Sequence, residues 1–317
     1  MANYLVKTTR IFLPRAVKCH CMTHAISAFY KFVAISPERV EAIKDKLTPL
    51  GEELGVQGLI LLATEGINAT VCAMPGSLAA FKAALLEIPE FAGLKFKDSF
   101  ALKSVFRRLT VQIRDEIVTA ELPGIFPQSD QHRHLPPKEW HALLENDSNV
   151  MVLDTRNDYE TRIGKFRGAV DPNITKFSEF AHYIDGNPLP KDKTILIYCT
   201  GGIRCEKAIL TLEEKGYENV YQLDGGILNY FAEFPDGGAF DGECFLFDHR
   251  VAVDSKLQPS QKYGLCPHCG DPATENFDCA YCKRKGQVCL KCYGRAEVGR
   301  ACTKNCAYHV KRLAVGA

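Results

Sequence analysis

The sequence predicts a multidomain α/β protein: a ferredoxin-like α+β sandwich, a parallel α/β domain, and a C-terminal cysteine-rich segment of the zinc-binding kind. Three observations predict this. The length of 317 residues exceeds one ordinary domain. Strand and helix patterns follow two different orders in the first and middle thirds. Eight of the fourteen cysteines lie between Cys266 and Cys306.

Segment 26–118 is predicted to form the ferredoxin-like domain, after an N-terminal extension over 1–25. Ser36 and Pro37 are typical of a helix start. The expected elements are strands over 26–35, 58–62, 67–72 and 105–113, and helices over 37–54 and 77–88. This βαββαβ order is that of a ferredoxin-like sandwich, a fold that serves many unrelated functions including RNA binding.

Segment 137–240 is predicted to form a parallel sheet covered by helices, after a proline-containing linker over 119–136. The expected elements are strands over 150–153, 194–198 and 220–223, and helices over 137–144, 177–184 and 205–215. Strict alternation of this kind indicates parallel strands. Ligands of such sheets bind at the carboxyl ends of the strands, where Asp154 and Cys199 lie.

Composition and charge restrict the class of protein. No apolar run approaches the ~20 residues of a membrane span, and basic residues interrupt any signal-peptide core near the N-terminus. Fourteen cysteines in such a chain indicate reduced, metal-bound or catalytic thiols, so a cytoplasmic protein is expected. Residues 249–317 carry 12 basic and 5 acidic side chains, whereas 133–240 carry 12 and 17. The basic tail suggests a polyanionic partner.

Cys199 ends a β-branched run and begins a short loop of Thr200, Gly201, Gly202 and Ile203, with Arg204 directly before the predicted helix. Inward backbone NH groups at a helix N-terminus stabilise an anion, here the thiolate of Cys199. The helix end and Arg204 should therefore lower the pKa of Cys199. Phosphotyrosine-type phosphatases place five residues between cysteine and arginine. Only four intervene here, which suits a persulfide sulfur better than a phosphoryl group.

The middle segment resembles a rhodanese domain. The similarity lies in VLDTRNDYETRIGKFRGAV (152–170), YCTGGIRCEKA (198–208) and YQLDGGILNY (221–230), although Phe166-Arg167-Gly168-Ala169 replaces the more usual His-Ile-Pro-Gly-Ala. The resemblance implies a rhodanese-like central domain with an active Cys199, in which Asp154 and Arg156 brace the loop. Cys205 either resolves a persulfide or disulfide or is a buried cysteine at the start of a helix.

The front end makes the resemblance more specific. LLATEGINATVCA (61–73) and FRRLTVQIRDEIV (106–118), with the CTGGIRCEKA loop, resemble the tRNA uridine-34 hydroxylase family over roughly 26–306. The resemblance implies oxygen-dependent formation of 5-hydroxyuridine at the wobble position of tRNA, with the loop cysteine essential. It also implies the anticodon loop as partner and molecular oxygen as co-substrate; no flavin or nucleotide motif is seen.

Two other functions stay open at this stage. A rhodanese-type sulfurtransferase that passes sulfur through a Cys199 persulfide needs only the loop. The other alternative is a zinc-stabilised RNA-binding or scaffold protein in which the loop is vestigial. Cations alternate with aromatic residues around the last strand of the front domain, as in a groove for single-stranded RNA, although core aromatics beside solvated cations give the same pattern. The candidate RNA contacts are Lys103, Arg107, Arg108 and Arg114, beside Phe100 and Phe106.

One hypothesis explains how the Cys199 thiolate could activate uracil for hydroxylation. Addition of the Cys199 thiolate at uracil C6 would make C5 enolate-like and reactive with oxygen, with Arg204 and the loop NH groups stabilising charge on O4. The alternative is a Cys199 persulfide or sulfenate that acts as a redox partner.

Segment 241–317 ends the chain with four cysteine pairs, three of them with the C-x2-C spacing. Eight sulfurs at this spacing fit two structural Zn(Cys)4 sites, and metal would stabilise a segment poor in apolar residues. An iron–sulfur cluster and free thiols are the alternatives. Which cysteines share a metal stays open. The candidate ligands are Cys266, Cys269, Cys279, Cys282, Cys289, Cys292, Cys302 and Cys306.

Overall fold

A computed structural model of the chain describes residues 24–122, 124–127, 133–296 and 298–315. The predicted N-terminal extension over 1–25 lies almost entirely outside the described residues, and the predicted linker over 119–136 lies partly outside them. The boundaries of both stay predictions. Within the described ranges, no helix has the length and apolar character needed to cross a bilayer.

The N-terminal domain is a five-stranded sheet covered by two helices on one face. Its strands are β1 (His24–Phe32), β2 (Gln57–Ala63), β3 (Gly66–Ala73), β4 (Lys97–Ala101) and β5 (Leu109–Ile113), in the order β4-β1-β3-β2-β5. Its helices are α1 (Pro37–Glu53) and α2 (Pro75–Leu86). Ser36 caps α1 through a bond from Arg39 N, at 3.3 Å. The core lies between the helices and the sheet, around Phe29, Leu47 and Phe81.

The prediction that 105–113 forms the fourth strand of the ferredoxin-like order is wrong. The fourth strand of the ferredoxin-like order is β4, which pairs antiparallel with β1. The segment Leu109–Ile113 forms a fifth strand, which pairs parallel with β2 at the opposite edge. Only Ala101 of β4 is buried. An edge strand with so little apolar content gives no strand signal in the sequence.

Gly66, in the EGINAT motif, is required by the close approach of β1 to β3. Its φ is +138°, and a Cβ there would lie 2.0 Å from the carbonyl oxygen of Lys31. No other residue fits between the two strands without moving the backbone.

The central domain has a four-stranded parallel sheet in the order β6-β10-β9-β7. Its strands are β6 (His134–Leu135), β7 (Val150–Asp154), β9 (Thr194–Tyr198) and β10 (Val220–Leu223), and its helices are α3 (Pro137–Asn146), α4 (Asp158–Thr161), α5 (Phe180–Gly186), α6 (Ile203–Glu214) and α7 (Gly226–Glu233). A short strand β8 (Gly164–Phe166) lies outside this sheet. The predicted bounds of β9 and β10 are confirmed, whereas α6 begins two residues before the predicted Cys205.

The C-terminal segment continues from the central domain through short antiparallel pairs. β11 (Phe240–Gly242) pairs with β8, and β12 (Cys244–Phe245) pairs with β13 (Ala252–Val253). The cysteine-rich part contains the strands β14 (Gly264–Leu265), β15 (Pro272–Ala273), β16 (Glu275–Asp278) and β17 (Lys285–Val288) and the helices α8 (Leu290–Tyr293) and α9 (Lys304–Val315). Its small core consists largely of cysteine side chains.

Candidate active site and metal-binding clusters

Cys199 lies at the carboxyl end of β9, directly before the loop that leads into α6. Its side chain is fully buried, and the backbone NH of Gly202 donates to its sulfur at 3.0 Å. Gly202 has a φ of +101°, and a Cβ there would lie 2.8 Å from the hydroxyl of Tyr30 in the N-terminal domain. Glycine is therefore needed both to turn the loop toward the sulfur and to admit Tyr30.

The pKa of Cys199 is lowered to about 5. Burial alone would raise it, but a hydrogen bond from the Cys205 thiol, the charge of Arg204, and the backbone NH groups of Arg204 and Gly202 outweigh burial. The thiol of Cys205 has its own pKa raised, by burial first and then by its bond to Cys199. Cys205 is therefore a proton-bearing donor that keeps Cys199 ionised at neutral pH.

Arg204 is held by a carboxylate. Its two terminal nitrogens donate to Glu160 at 2.5 and 2.8 Å, and the Thr200 hydroxyl donates to the same carboxylate at 3.2 Å. Burial would raise the pKa of Glu160, but the charge and hydrogen bonds of Arg204 lower it. Sequence reasoning did not include Glu160 in the site. Because Glu160 occupies both terminal nitrogens, Arg204 acts on Cys199 mainly through its charge.

Asp154 and Arg156 form a separate, fully buried pair. The carboxylate of Asp154 accepts from Arg156 at 2.7 Å and from the Tyr198 hydroxyl at 2.6 Å. Arg156 also donates to the carbonyl oxygen of Gly164 at 2.7 Å. These bonds tie β7, β8 and β9 together beneath the loop. Neither Asp154 nor Arg156 lines the cavity described next.

A cavity of about 860 Å³ opens above the loop, between the N-terminal sheet and the central domain. This volume lies within the roughly 300–1,000 Å³ of small-molecule sites. The free face of the N-terminal sheet forms one wall, the Cys199 loop faces it, and the segment after β12 closes a third side. The central lining residues are Tyr30, Leu61, Asn68, Lys97, Arg114, Cys199, Thr200, Gly201, Ile203, Arg204, Phe247 and Arg250.

Lys97 is a cation of this cavity that sequence reasoning missed. Its ammonium lies 4.8 Å from the centroid of the Tyr30 ring. Burial lowers the pKa of Lys97, and the charges of Cys199, Asp224 and Glu206 oppose that shift. Lys97 lies on the edge strand β4, which the sequence did not predict, so its position in the cavity could be recognised only from the fold.

The candidate RNA contacts are divided by the structure. Arg114 lines the cavity, where its guanidinium donates to Gln112 at 2.7 Å. Lys103, Arg107 and Arg108 are exposed and lie outside the lining. Phe106 lines the cavity, whereas Phe100 does not.

The eight C-terminal cysteines form two clusters. The first cysteine cluster consists of Cys266, Cys269, Cys289 and Cys292, and the second of Cys279, Cys282, Cys302 and Cys306. Within each cluster the sulfur atoms all lie within 4.8 Å of one another. The first pair thus joins the third, and the second joins the fourth. Four cysteine sulfurs close enough to bind one ion with tetrahedral geometry are the donor set of a structural metal site.

The histidines near these clusters have other contacts. His268 lies 2.7 Å from the carbonyl oxygen of Ala301, and the His309 ring stacks on Tyr281 at 4.4 Å between centroids. Neither belongs to a cluster of the described residues.

Comparisons with known proteins agree with this architecture. Three family models match the chain: a UPF0176 acylphosphatase-like domain over 24–117, a rhodanese-like domain over 136–233, and a rhodanese C-terminal segment over 241–307. A tRNA uridine(34) hydroxylase of Bdellovibrio bacteriovorus is 46% identical over 294 residues, which cover 92% of this chain and 83% of the relative. The chain belongs to the tRNA uridine(34) hydroxylase family.

Other members of the hydroxylase family match nearly as widely. The protein of Rhizobium leguminosarum bv. trifolii is 41% identical, over 86% of this chain and 88% of its own. That of Teredinibacter turnerae is 40% identical, over 85% and 84%. The predicted family and fold class are therefore confirmed: a ferredoxin-like sandwich, a rhodanese domain and a cysteine-rich end with two clusters that could hold metal.

Proposed function

We propose that this protein hydroxylates uridine 34 of tRNA, as the name of its relatives states, and that the product is 5-hydroxyuridine. The observation that carries the proposal is the position of Cys199. Cys199, whose pKa is lowered, lines a cavity shared by two domains, and the facing wall is a sheet of the ferredoxin-like domain. Sulfur transfer needs only the Cys199 loop, whereas hydroxylation of a base also needs a facing surface that holds the base against the thiolate.

The thiolate supplies the chemistry that uracil lacks. Attack of Cys199 on C6 forms a carbon–sulfur bond and moves the C5–C6 electron pair toward O4, which makes C5 a nucleophile. C5 then bonds to one atom of molecular oxygen, and a two-electron donor with two protons reduces the other atom to water. Loss of the C5 proton and departure of the thiolate restore the double bond. The loop NH groups that hold the sulfur stabilise it before attack and after departure.

The anticodon loop is the part of tRNA that fits this cavity, because its unpaired bases can enter a site that a duplex cannot. The C-terminal segment offers a second basic surface, whose Lys and Arg side chains are exposed. Residues 279–312 contain nine basic and one acidic side chain, and Tyr308 of α9 is 58% exposed. Such a surface suits single-stranded RNA, because the cations attract the phosphate backbone and the aromatic rings can stack on bases. Lys103, Arg107, Arg108 and Arg114 are the contacts proposed on the N-terminal domain.

We assign structural Zn²⁺ to both cysteine clusters, since four thiolates in tetrahedral reach favour zinc. Bound zinc would fix the hairpins around each cluster. A cytoplasmic location follows from a tRNA substrate and reduced thiols.

Nucleoside mass spectrometry of tRNA tests the function. A deletion strain that also lacks any redundant pathway should lose 5-hydroxyuridine and its derivatives, and the wild-type gene should restore them. Cys199→Ala should restore nothing. Cys72→Ala, which removes a buried thiol on β3 outside the cavity, should restore them as the wild type does. Unchanged wobble uridine in the deletion strain, or full restoration by Cys199→Ala, would reject the proposal.

A rhodanese-type sulfurtransferase is the second candidate. The NH of Gly202 bonds to the sulfur within a four-residue loop, and such a loop suits a terminal sulfur atom. Transfer of sulfur from thiosulfate to cyanide by the wild type, without any effect on wobble uridine, would favour this activity.

A further inference from the structure

Phe247 is an exposed aromatic side chain on the third wall of the cavity. It lies in the turn between β12 and β13 and is 63% exposed, although Leu246 and Asp248 on either side are buried. Its ring meets Phe245 edge-to-face with centroids 5.0 Å apart. The guanidinium carbon of Arg204 lies 5.9 Å from the ring centroid. Phe247 is thus largely exposed and is one of the residues that line the cavity containing Cys199.

The backbone that carries Phe247 is fixed on both sides. Arg250 donates to Asp248 through its guanidinium, which holds the turn closed. Further bonds close the hairpin and attach it to the N-terminal domain: Leu246 N to Val251 O at 2.8 Å, His249 N to Val105 O at 3.1 Å, and Arg250 Nη1 to Ser99 Oγ at 3.1 Å. The turn is therefore anchored to the same domain whose sheet forms the opposite wall.

We propose that Phe247 is the stacking platform for the target uracil, a binding subsite that rests on the proposed hydroxylase function. An exposed aromatic ring on an anchored turn can stack on a flat ligand, and nucleobases are such ligands because every base offers a π face. Thiolate addition also requires the sulfur to approach C6 along the normal to the base plane. A fixed ring parallel to the base sets that plane before attack.

The test of binding uses tryptophan fluorescence. The chain has one tryptophan, Trp140, which is fully buried, so Phe247→Trp adds an exposed reporter to a constant background. In oxygen-free buffer, an anticodon stem-loop RNA with uridine 34 should quench this reporter. The same RNA with an abasic site at that nucleotide should not quench it. An abasic site at the preceding nucleotide should leave the quenching intact.

The matched control is Phe126→Trp, since Phe126 is 39% exposed and does not line the cavity. Its fluorescence should not respond to the target base. Equal quenching of Phe247→Trp by the intact and the abasic RNA would overturn the proposal, because the base in contact would then be another one.

The test of function compares three substitutions. Phe247→Ala should lower kcat/KM for the stem-loop about 5- to 150-fold, the range expected for loss of one stacked base. Phe247→Tyr keeps the π face and should retain most of the activity. Phe247→Leu keeps a large apolar side chain without a π face and should lose activity as Phe247→Ala does. Rescue by leucine equal to that by tyrosine would overturn the stacking role.

The alkylation rate of Cys199 provides a readout that separates binding from damage to the loop. It should be the same in the wild type and in Phe247→Ala, because the ring is not bonded to the sulfur. A wild-type enzyme that forms no 5-hydroxyuridine would reject the proposed function. An active wild type with an equally active Phe247→Ala would reject only the inference about Phe247.

Discussion

The ammonium group of Lys207 lies 2.8 Å from the carboxylate of Glu65, so the CTGGIRCEKA and EGINAT motifs meet across the boundary between two domains. Lys207 also pairs with Glu116 at 2.5 Å and is only 2% exposed. The backbone NH of Ile117 donates to Glu65 at 2.6 Å. Because Lys207 lies on α6, directly after the Cys199 loop, these bonds fix the loop against the facing sheet.

Removal of Lys207 should therefore weaken both the structure and the reaction. Lys207→Ala leaves two carboxylates facing each other at the boundary, and loss of one partner of a buried ion pair typically costs about 3–5 kcal/mol. We expect the first unfolding transition in urea to move to lower concentration, with a parallel loss of 5-hydroxyuridine formation. Lys44→Ala, which removes an exposed pair with Glu41, should cost at most about 0.5 kcal/mol. Equal midpoints for the two variants would contradict this role.

Local sequence signals predicted three of the four strands of the central sheet and missed β6 (His134–Leu135), which lies in the predicted linker. The strands Thr194–Tyr198 and Val220–Leu223 have the predicted bounds, because buried parallel strands form continuous apolar runs between polar turns. The strand Lys97–Ala101 was missed for the opposite reason: it is an edge strand with one buried residue. The same local signals located Cys199 and Arg204, since a strand, a glycine-containing loop and a helix lie within a few residues of one another.

The rest of the site depends on contacts between distant parts of the chain. Tyr30 donates to Glu206 across 176 positions of sequence, and Phe247 reaches the loop from the C-terminal segment. No local pattern marks either residue as part of a site. Glu160 had a weak signal, because it lies in the stretch 152–170 that carries the resemblance to a rhodanese domain. Its bond to Arg204 followed only from the fold.

Cys205 should control the ionisation of Cys199. Burial disfavours the thiolate, and the bond from the Cys205 thiol is the largest influence that lowers the pKa to about 5. In Cys205→Ala the pKa should rise, so the thiolate fraction at pH 6 should fall. The measurement is the pH dependence of iodoacetamide alkylation, followed by mass spectrometry of the Cys199 peptide. The midpoint should move upward in Cys205→Ala and stay near pH 5 in Cys72→Ala. An unchanged midpoint in Cys205→Ala would assign the low pKa to Arg204 and the loop alone.

The Glu160–Arg204 pair should make stability depend on acid pH. Burial would raise the pKa of Glu160, but Arg204 lowers it below its ordinary value. A lowered pKa in the folded state gives stability that is present above the unfolded pKa of about 4.3 and is lost as pH falls through the folded value. Glu160→Gln should therefore cost about 3–5 kcal/mol at pH 7, and the difference from the wild type should shrink below about pH 4.

Urea unfolding of both proteins at pH 7 and at acid pH measures this difference. Glu41→Gln, an exposed change on α1 that removes only the surface pair with Lys44, should differ from the wild type by at most about 0.5 kcal/mol at both values. A difference for Glu160→Gln that stays constant with pH would show that the carboxylate does not titrate with folding.

The interleaved cysteine clusters make a prediction about metal content. Cys269 and Cys289 belong to the first cysteine cluster, with their sulfurs 3.4 Å apart, whereas Cys282 belongs to the second. If each cluster holds one zinc, Cys269→Ser should lose one equivalent, because a site with three thiolates binds more weakly. The pair Cys269→Ser with Cys289→Ser should also lose one, since both changes affect one site. The pair Cys269→Ser with Cys282→Ser should lose two. Elemental analysis of the purified full-length protein counts the metal. Sites built from consecutive pairs would give the reverse pattern, with two equivalents lost in the first double variant and one in the second.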